Sequence, residues 1–136
     1  MKKVAPSILS ANFNNLLEEV KSVESADYLH VDVMDGHFVP NISLGALVYK
    51  NLKTEVNMTF DVHLMISDPK KYALDFIKAG SDILTFHIEA LETKKEVIEL
   101  INLIHKNISG LIHLYLIDNS QEKSFPSLHS LIISYF

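Results

Sequence analysis

Tyr28-Leu-His-Val-Asp-Val-Met-Asp-Gly-His-Phe-Val-Pro-Asn41 is the stretch that decides how this chain folds. Side chains alternate along a strand, so Leu29, Val31 and Val33 fall on one face while His30, Asp32 and Met34 fall on the other. Burying an imidazole beside a carboxylate is costly unless the two are paired or put to use. Thr59-Phe-Asp-Val-His-Leu-Met65 repeats the arrangement, with Phe60, Val62 and Leu64 set against Asp61, His63 and Met65. Two strands that each carry an acid, a histidine and a methionine on one face predict a shared polar site.

Around these two strands the chain alternates between strand and helix character. Residues 3–9 read as a short apolar strand, and Asn12 is placed to cap a helix over residues 13–25 with Leu16, Leu17 and Val20 as its apolar stripe. Residues 27–34 form the next strand, 44–53 a helix, and 58–65 the following strand. Asp68-Pro69 opens a helix that Gly80 ends, because proline suits the first helical position and glycine the left-handed position after the last turn. Residues 81–88 make another strand. Thr93 and Glu96 then form a capping-box pattern ahead of Val97, Ile98, Ile101 and Ile104, and residues 110–117 are again strand-like.

Repeated strand–helix units with short connections predict an α/β fold with a parallel sheet covered by helices. A doubly wound sheet and a barrel both fit the alternation. The polar faces of the two central strands favour the barrel, where strand ends converge on one site. A complete barrel takes about 250 residues, with roughly 200 as the compact limit. The 136 residues here are therefore expected to form an incomplete barrel of about five to six strands, a single partial domain over 1–136 whose segment 108–136 diverges. An open parallel sheet leaves unpaired edges, so self-association is expected as well.

Bulk properties narrow the partners. No apolar run approaches the roughly 18 residues of a membrane span, and the first residues are too poor in apolar side chains for a secretory signal, so a cytoplasmic protein is expected. The chain has no cysteine, which leaves histidine and carboxylate as its metal ligands. A net charge of −5 without a basic run weighs against nucleic acid as a partner. A small anionic substrate needs only local donors and stays open.

His30, Asp32 and His63 form a nitrogen and oxygen set suited to one divalent ion such as zinc, iron, manganese or cobalt. Either histidine alone reads as a hydrogen-bonded core residue; the repeated set favours ligation. Asp32 is the candidate general base. Asp35 is out of phase with it and precedes Gly36, which marks a turn or cap. Asp61 reads as an orienting partner rather than a ligand. Met34 and Met65 sit at the strand ends as an apolar wall or as core filling, and Ser7 lies at the end of the first strand. His87 and Glu89 rank below this set, and His37, His105, His113 and His129 join no constellation.

Pro6-Ser-Ile-Leu-Ser-Ala-Asn-Phe13, His30 through Asn41, Phe60 through Met65 and Thr85-Phe-His-Ile-Glu-Ala90 together resemble the ribulose-phosphate 3-epimerase family over about residues 3–107. The resemblance implies a TIM barrel that interconverts D-ribulose 5-phosphate and D-xylulose 5-phosphate in the pentose phosphate pathway, by metal-assisted proton transfer at C3. Carried onto this sequence, it makes His30, Asp32 and His63 metal ligands, Asp32 also the proton-abstracting group, and Ser7, His63, Met34 and Met65 substrate contacts. The family's Glu-Pro-Gly-Phe-Gly-Gly-Gln and Asp-Gly-Gly blocks, which supply a second acid–base and a glycine-rich phosphate loop, have no counterpart in these residues. A C-terminally truncated or frame-altered form with weak metal binding and little activity is the resulting expectation. A non-catalytic metal-binding remnant and a hexulose-6-phosphate 3-epimerase are the alternatives, and the long His30–Asn41 block favours the pentulose enzyme over the latter.

Overall fold

The computed structural model describes residues 2–108 and 112–115 of the chain. Four parallel strands, β1 (Tyr28–Met34), β2 (Thr59–Met65), β3 (Ile83–His87) and β4 (Ile112–Tyr115), form one sheet in the order β1-β2-β3-β4. Among the described residues spatial order equals sequence order, without the reversal that marks a doubly wound sheet. This is the way a (β/α) barrel is built, here an incomplete one. Everything after Tyr115, including Phe125-Pro-Ser-Leu-His129, lies outside the described residues.

The strand expected over residues 3–9 does not form. The Val4 and Pro6 carbonyls accept hydrogen bonds from Tyr28 N–H (3.2 Å) and His30 N–H (2.8 Å), and Ser7 makes a lone parallel bridge to His30. Pro6 has no N–H to give to a ladder. Ser7 Oγ then accepts from Leu9 N–H at 3.2 Å and caps a single 3-10 turn, Ile8–Ser10, which ends the extended run.

The first helix is also shorter than its pattern suggested. Asn12 Oδ1 caps a 3-10 turn, Phe13–Asn15, and the α-helix α1 runs only Leu16–Ser22. Ser22 Oγ donates to the Glu19 carbonyl at 2.6 Å, a bond that competes with continued helix. The helix expected over 44–53 is split at Asn51 into α2 (Ala46–Lys50) and α3 (Leu52–Glu55). By contrast, α4 (Pro69–Lys78) starts on Asp68, whose carboxylate accepts from Lys71 N–H, and Gly80 follows it at φ 111°. The capping box of Thr93 and Glu96 opens α5 (Lys94–Asn107) as expected.

One sheet face is the core. Leu29, Val31, Val33, Phe60, Val62, Leu64, Leu84 and Phe86 join a single cluster with Val20 of α1, Tyr49 of α2, Ala73 and Phe76 of α4, and Val97, Leu100, Ile101 and Ile104 of α5. The helices therefore cover this face. Tyr49 is fully buried, yet its hydroxyl donates to the Phe76 carbonyl at 2.8 Å and lies 3.0 Å from Ser81 Oγ, so no polar atom of it is stranded. Along β1 and β2 buried and half-buried residues alternate one by one, which leaves the polar face partly open.

Asp35 ties together the loops that leave β1 and β2. Its Oδ1 accepts from the His37 and Phe38 N–H groups (both 2.9 Å), and its Oδ2 from the Ser67 N–H (2.8 Å) and hydroxyl (2.7 Å). Partial burial works against the charge, but the bonds from Ser67, Phe38 and His37 outweigh it and hold the carboxyl well below the usual carboxylate range. A lowered folded pKa stabilises the fold above the ordinary value of 3.8 and loses that contribution as pH falls through the folded value. Asp35→Asn is thus expected to cost roughly 1–2 kcal/mol at pH 7 in urea unfolding. The gap between variant and parent should narrow as pH drops below 3.8; a gap of constant size would show that the charge is not what stabilises these loops.

Candidate metal centre and acid–base site

The parallel register of β1 and β2 sets His30 beside Asp61, Asp32 beside His63 and Met34 beside Met65. All six therefore share the face turned away from the helices. Ser43 fastens the end of β1: its hydroxyl donates to the Asp32 carbonyl (2.6 Å) and accepts from Met34 N–H (2.9 Å). The loop between Asp35 and Ile42 folds back on that anchor through an antiparallel bridge.

His30, Asp32 and His63 each offer one ligand atom, and these atoms lie within 4.8 Å of one another. His30 Nε2 is 3.1 Å and His63 Nδ1 3.6 Å from Asp32 Oδ1. What makes the set fit a cation is how the other atom of each residue is occupied. His30 Nδ1 bonds to Asp61 Oδ2 at 2.8 Å, Ser7 Oγ donates to Asp32 Oδ2 at 2.6 Å, and His63 Nε2 lies 2.8 Å from His87 Nε2. The outer atoms are held and the inner ones converge, which is the support that orients ligands in metal sites. Two imidazole nitrogens and a carboxylate suit a borderline divalent ion.

The hydrogen bond that His30 donates to Asp61 raises the His30 pKa above its ordinary value, against the effect of burial and with help from the Asp32 charge. Burial first, and then the neighbouring His87, push His63 the other way, while Asp32 opposes them. Burial likewise lowers His87, with Glu89 opposing. Asp61 Oδ1 is buried without a hydrogen-bond partner, so its second oxygen carries the whole contact to His30.

The structure brings Ser7, His30, Asp32 and His63 together and sets Met34 and Met65 side by side two residues further along the strands. Asp35 stands apart in its loop. His87, ranked below this set from the sequence, lies against it. It is 4% exposed, its ring lies 4.9 Å from that of His63, and the Phe38 ring covers it at 4.9 Å. Thr85 is in register with His63, so His87, two residues on, shares the same face. A cleft of about 1090 Å³ lies elsewhere, with Leu47, Val48, Lys71 and Tyr72 among its walls. Met34 and Ser43 line it, whereas His30, Asp32 and His63 do not.

A parallel α/β sheet in sequence order, with acid and imidazole donors gathered on neighbouring strands, is the architecture of a partial (β/α) barrel whose donor group could hold a metal ion. Residues 3–113 match the ribulose-phosphate 3 epimerase family. The chain is 56% identical over 88 residues to a ribulose-phosphate 3-epimerase of Synechocystis, covering 63% of this chain and 38% of the relative. It is 52% identical over 103 residues to that of Bacillus subtilis (74% and 48%), and 55% identical over 92 residues to the chloroplastic ribulose-5-phosphate-3-epimerase of Arabidopsis thaliana (66% and 33%). The chain belongs to the ribulose-phosphate 3-epimerase family, whose members are isomerases. It spans half or less of the length of these curated relatives. Among the described residues no helix is long and apolar enough to cross a membrane.

Proposed function

We propose that this chain carries the metal-holding and proton-abstracting part of a ribulose-phosphate 3-epimerase site, acting on D-ribulose 5-phosphate and D-xylulose 5-phosphate. The observation that carries the reading is the convergence of His30, Asp32 and His63 with the outer atom of each residue already held. The names of the relatives favour a pentulose over a hexulose phosphate, and their agreement gives no support to a non-catalytic remnant.

His30, Asp32 and His63 are the ligands in this reading, for one zinc, iron, manganese or cobalt ion. Bound there, the ion supplies positive charge where the substrate becomes negative. Asp32 takes the proton from C3, and the Ser7 hydroxyl holds that carboxylate in place at Oδ2. Ser7 and His63 also contact substrate, and Met34 and Met65 wall the reacting carbon from water. Residues 1–136 act as a single partial barrel domain with a divergent segment placed at 108–136, whose first residues, to 113, still fall within the family match. Self-association and a cytoplasmic setting belong to the same reading, the first supported by the partly open polar face of the sheet.

One carboxylate serves one face of the substrate. In deuterated water, the zinc-loaded chain is expected to exchange the C3 hydrogen of xylulose 5-phosphate faster than it interconverts the two sugars. No exchange above buffer from protein of verified zinc content would overturn the reading.

A further inference from the structure

We propose that His87, backed by Glu89, is a positioning residue that fixes the tautomer of His63 and so presents His63 Nδ1 to a bound cation. The inference deepens the metal reading above and rests on it.

The argument is an account of hydrogens. His63 Nε2 and His87 Nε2 are 2.8 Å apart, the ring planes differ by only 20°, and the ring centres are 4.9 Å apart. The two nitrogens therefore meet end to end, along the ring planes rather than across the ring faces. At that distance a single hydrogen lies between them: with none, two lone pairs repel, and with two, the hydrogens collide.

On its other side His63 turns Nδ1 toward Asp32 and the donor set. A ligating nitrogen gives its lone pair, so a neutral His63 that ligates through Nδ1 carries its hydrogen on Nε2. That is the hydrogen between the rings. His87 Nε2 is then a bare acceptor, and a neutral His87 with a bare Nε2 carries its own hydrogen on Nδ1. His87 Nδ1 is buried, has no hydrogen-bond partner, and stands 3.8 Å from Glu89 Oε2. An N–H there points toward an anion that a small movement of the exposed Glu89 side chain brings into range. A bare nitrogen there would face that anion lone pair to lone pair. Phe38 lies over His87 and shields the arrangement. Glu89, His87 and His63 thus all select one assignment. The opposite assignment puts a hydrogen on His63 Nδ1, and that atom no longer ligates.

The test uses the full chain with ¹⁵N-labelled histidine and zinc as the only added ion. Long-range proton–nitrogen spectra of the zinc-loaded protein should show hydrogen on His63 Nε2 and His87 Nδ1, with His63 Nδ1 metal-bound. In chelator competition, His87→Leu should bind zinc about 10–100-fold more weakly. His87→Gln, whose amide oxygen can accept the same hydrogen, should recover most of that loss. Hydrogen on His87 Nε2 in the loaded parent, or equal zinc affinity in a folded His87→Leu, overturns the proposal. If His87→Leu fails to fold, the spectrum of the parent decides alone. No zinc uptake by the parent, or uptake that survives both His30→Ala and His63→Ala, overturns the metal reading itself and this inference with it.

Discussion

Asp32→Asn is expected to slow deuterium incorporation at C3 of a pentulose 5-phosphate by about 10²–10⁴-fold, the range of a lost general base. Asp32 meets three partners through two oxygens: Ser7 at Oδ2, and His30 and His63 at Oδ1. Asparagine keeps the outline of the side chain but not its charge. It can accept no proton from carbon, and it sets an NH₂ group against either the serine or the imidazoles. Ser7→Ala should slow exchange less, because that hydroxyl steadies the carboxylate without taking the proton. The rates are read by NMR as C3 deuteration over time, with zinc content measured in each sample so that loss of a ligand and loss of a base are told apart. Parent-like exchange in Asp32→Asn would place the base on another residue.

Phe60→Ala is expected to cost about 3–5 kcal/mol of folding stability, as large-to-small changes of buried aromatics do. Phe60 is fully buried on the face of β2 opposite Asp61 and His63. Its ring packs 5.8 Å from that of Tyr49, and Lys53 Nζ lies 4.8 Å from its centre. Lys53 is itself tied to the Met58 carbonyl and to Asp82, so the wall around the ring has little freedom to collapse into a cavity. Against a total of about 5–15 kcal/mol for a small domain, this loss removes a large share of the fold. Urea unfolding of parent and variant measures it. A cost below about 1 kcal/mol would show that the helical layer relaxes around the gap.

The polar and apolar faces of Tyr28–Met34 and Thr59–Met65 were legible because a strand writes its two environments into alternate letters. The caps were legible for a similar reason: Asp68-Pro69 and Thr93 with Glu96 each act on amides within one turn, so the whole cause lies in adjacent residues. Residues 3–9 misled because apolar content alone does not make a ladder. Pro6 withholds a donor, and Ser7 spends its hydroxyl on Leu9 and on Asp32. Asn51 breaks the 44–53 helix without any proline or glycine at the break to announce it. In the site, the shared face of His30, Asp32 and His63 was readable from spacing, whereas the partner of each outer atom was not. That Asp61 serves His30 rather than the nearby His63, and that His87 meets His63, depends on register between strands. Register is a property of pairs of segments.

Because the strands lie side by side in the order of the chain, assembly has a direction. Tyr28 meets Thr59, Asp61 meets Ile83 and Leu84 meets Ile112, so each pairing joins a segment to the one made just before it. Each pairing spans one strand–helix–strand crossover and needs no part of the chain beyond it. During synthesis from the N-terminus, His30, Asp32 and His63 are all in hand once β2 has emerged. His87 arrives only with β3. The growing polypeptide completes its set of donor atoms one strand before it receives the residue that aligns them.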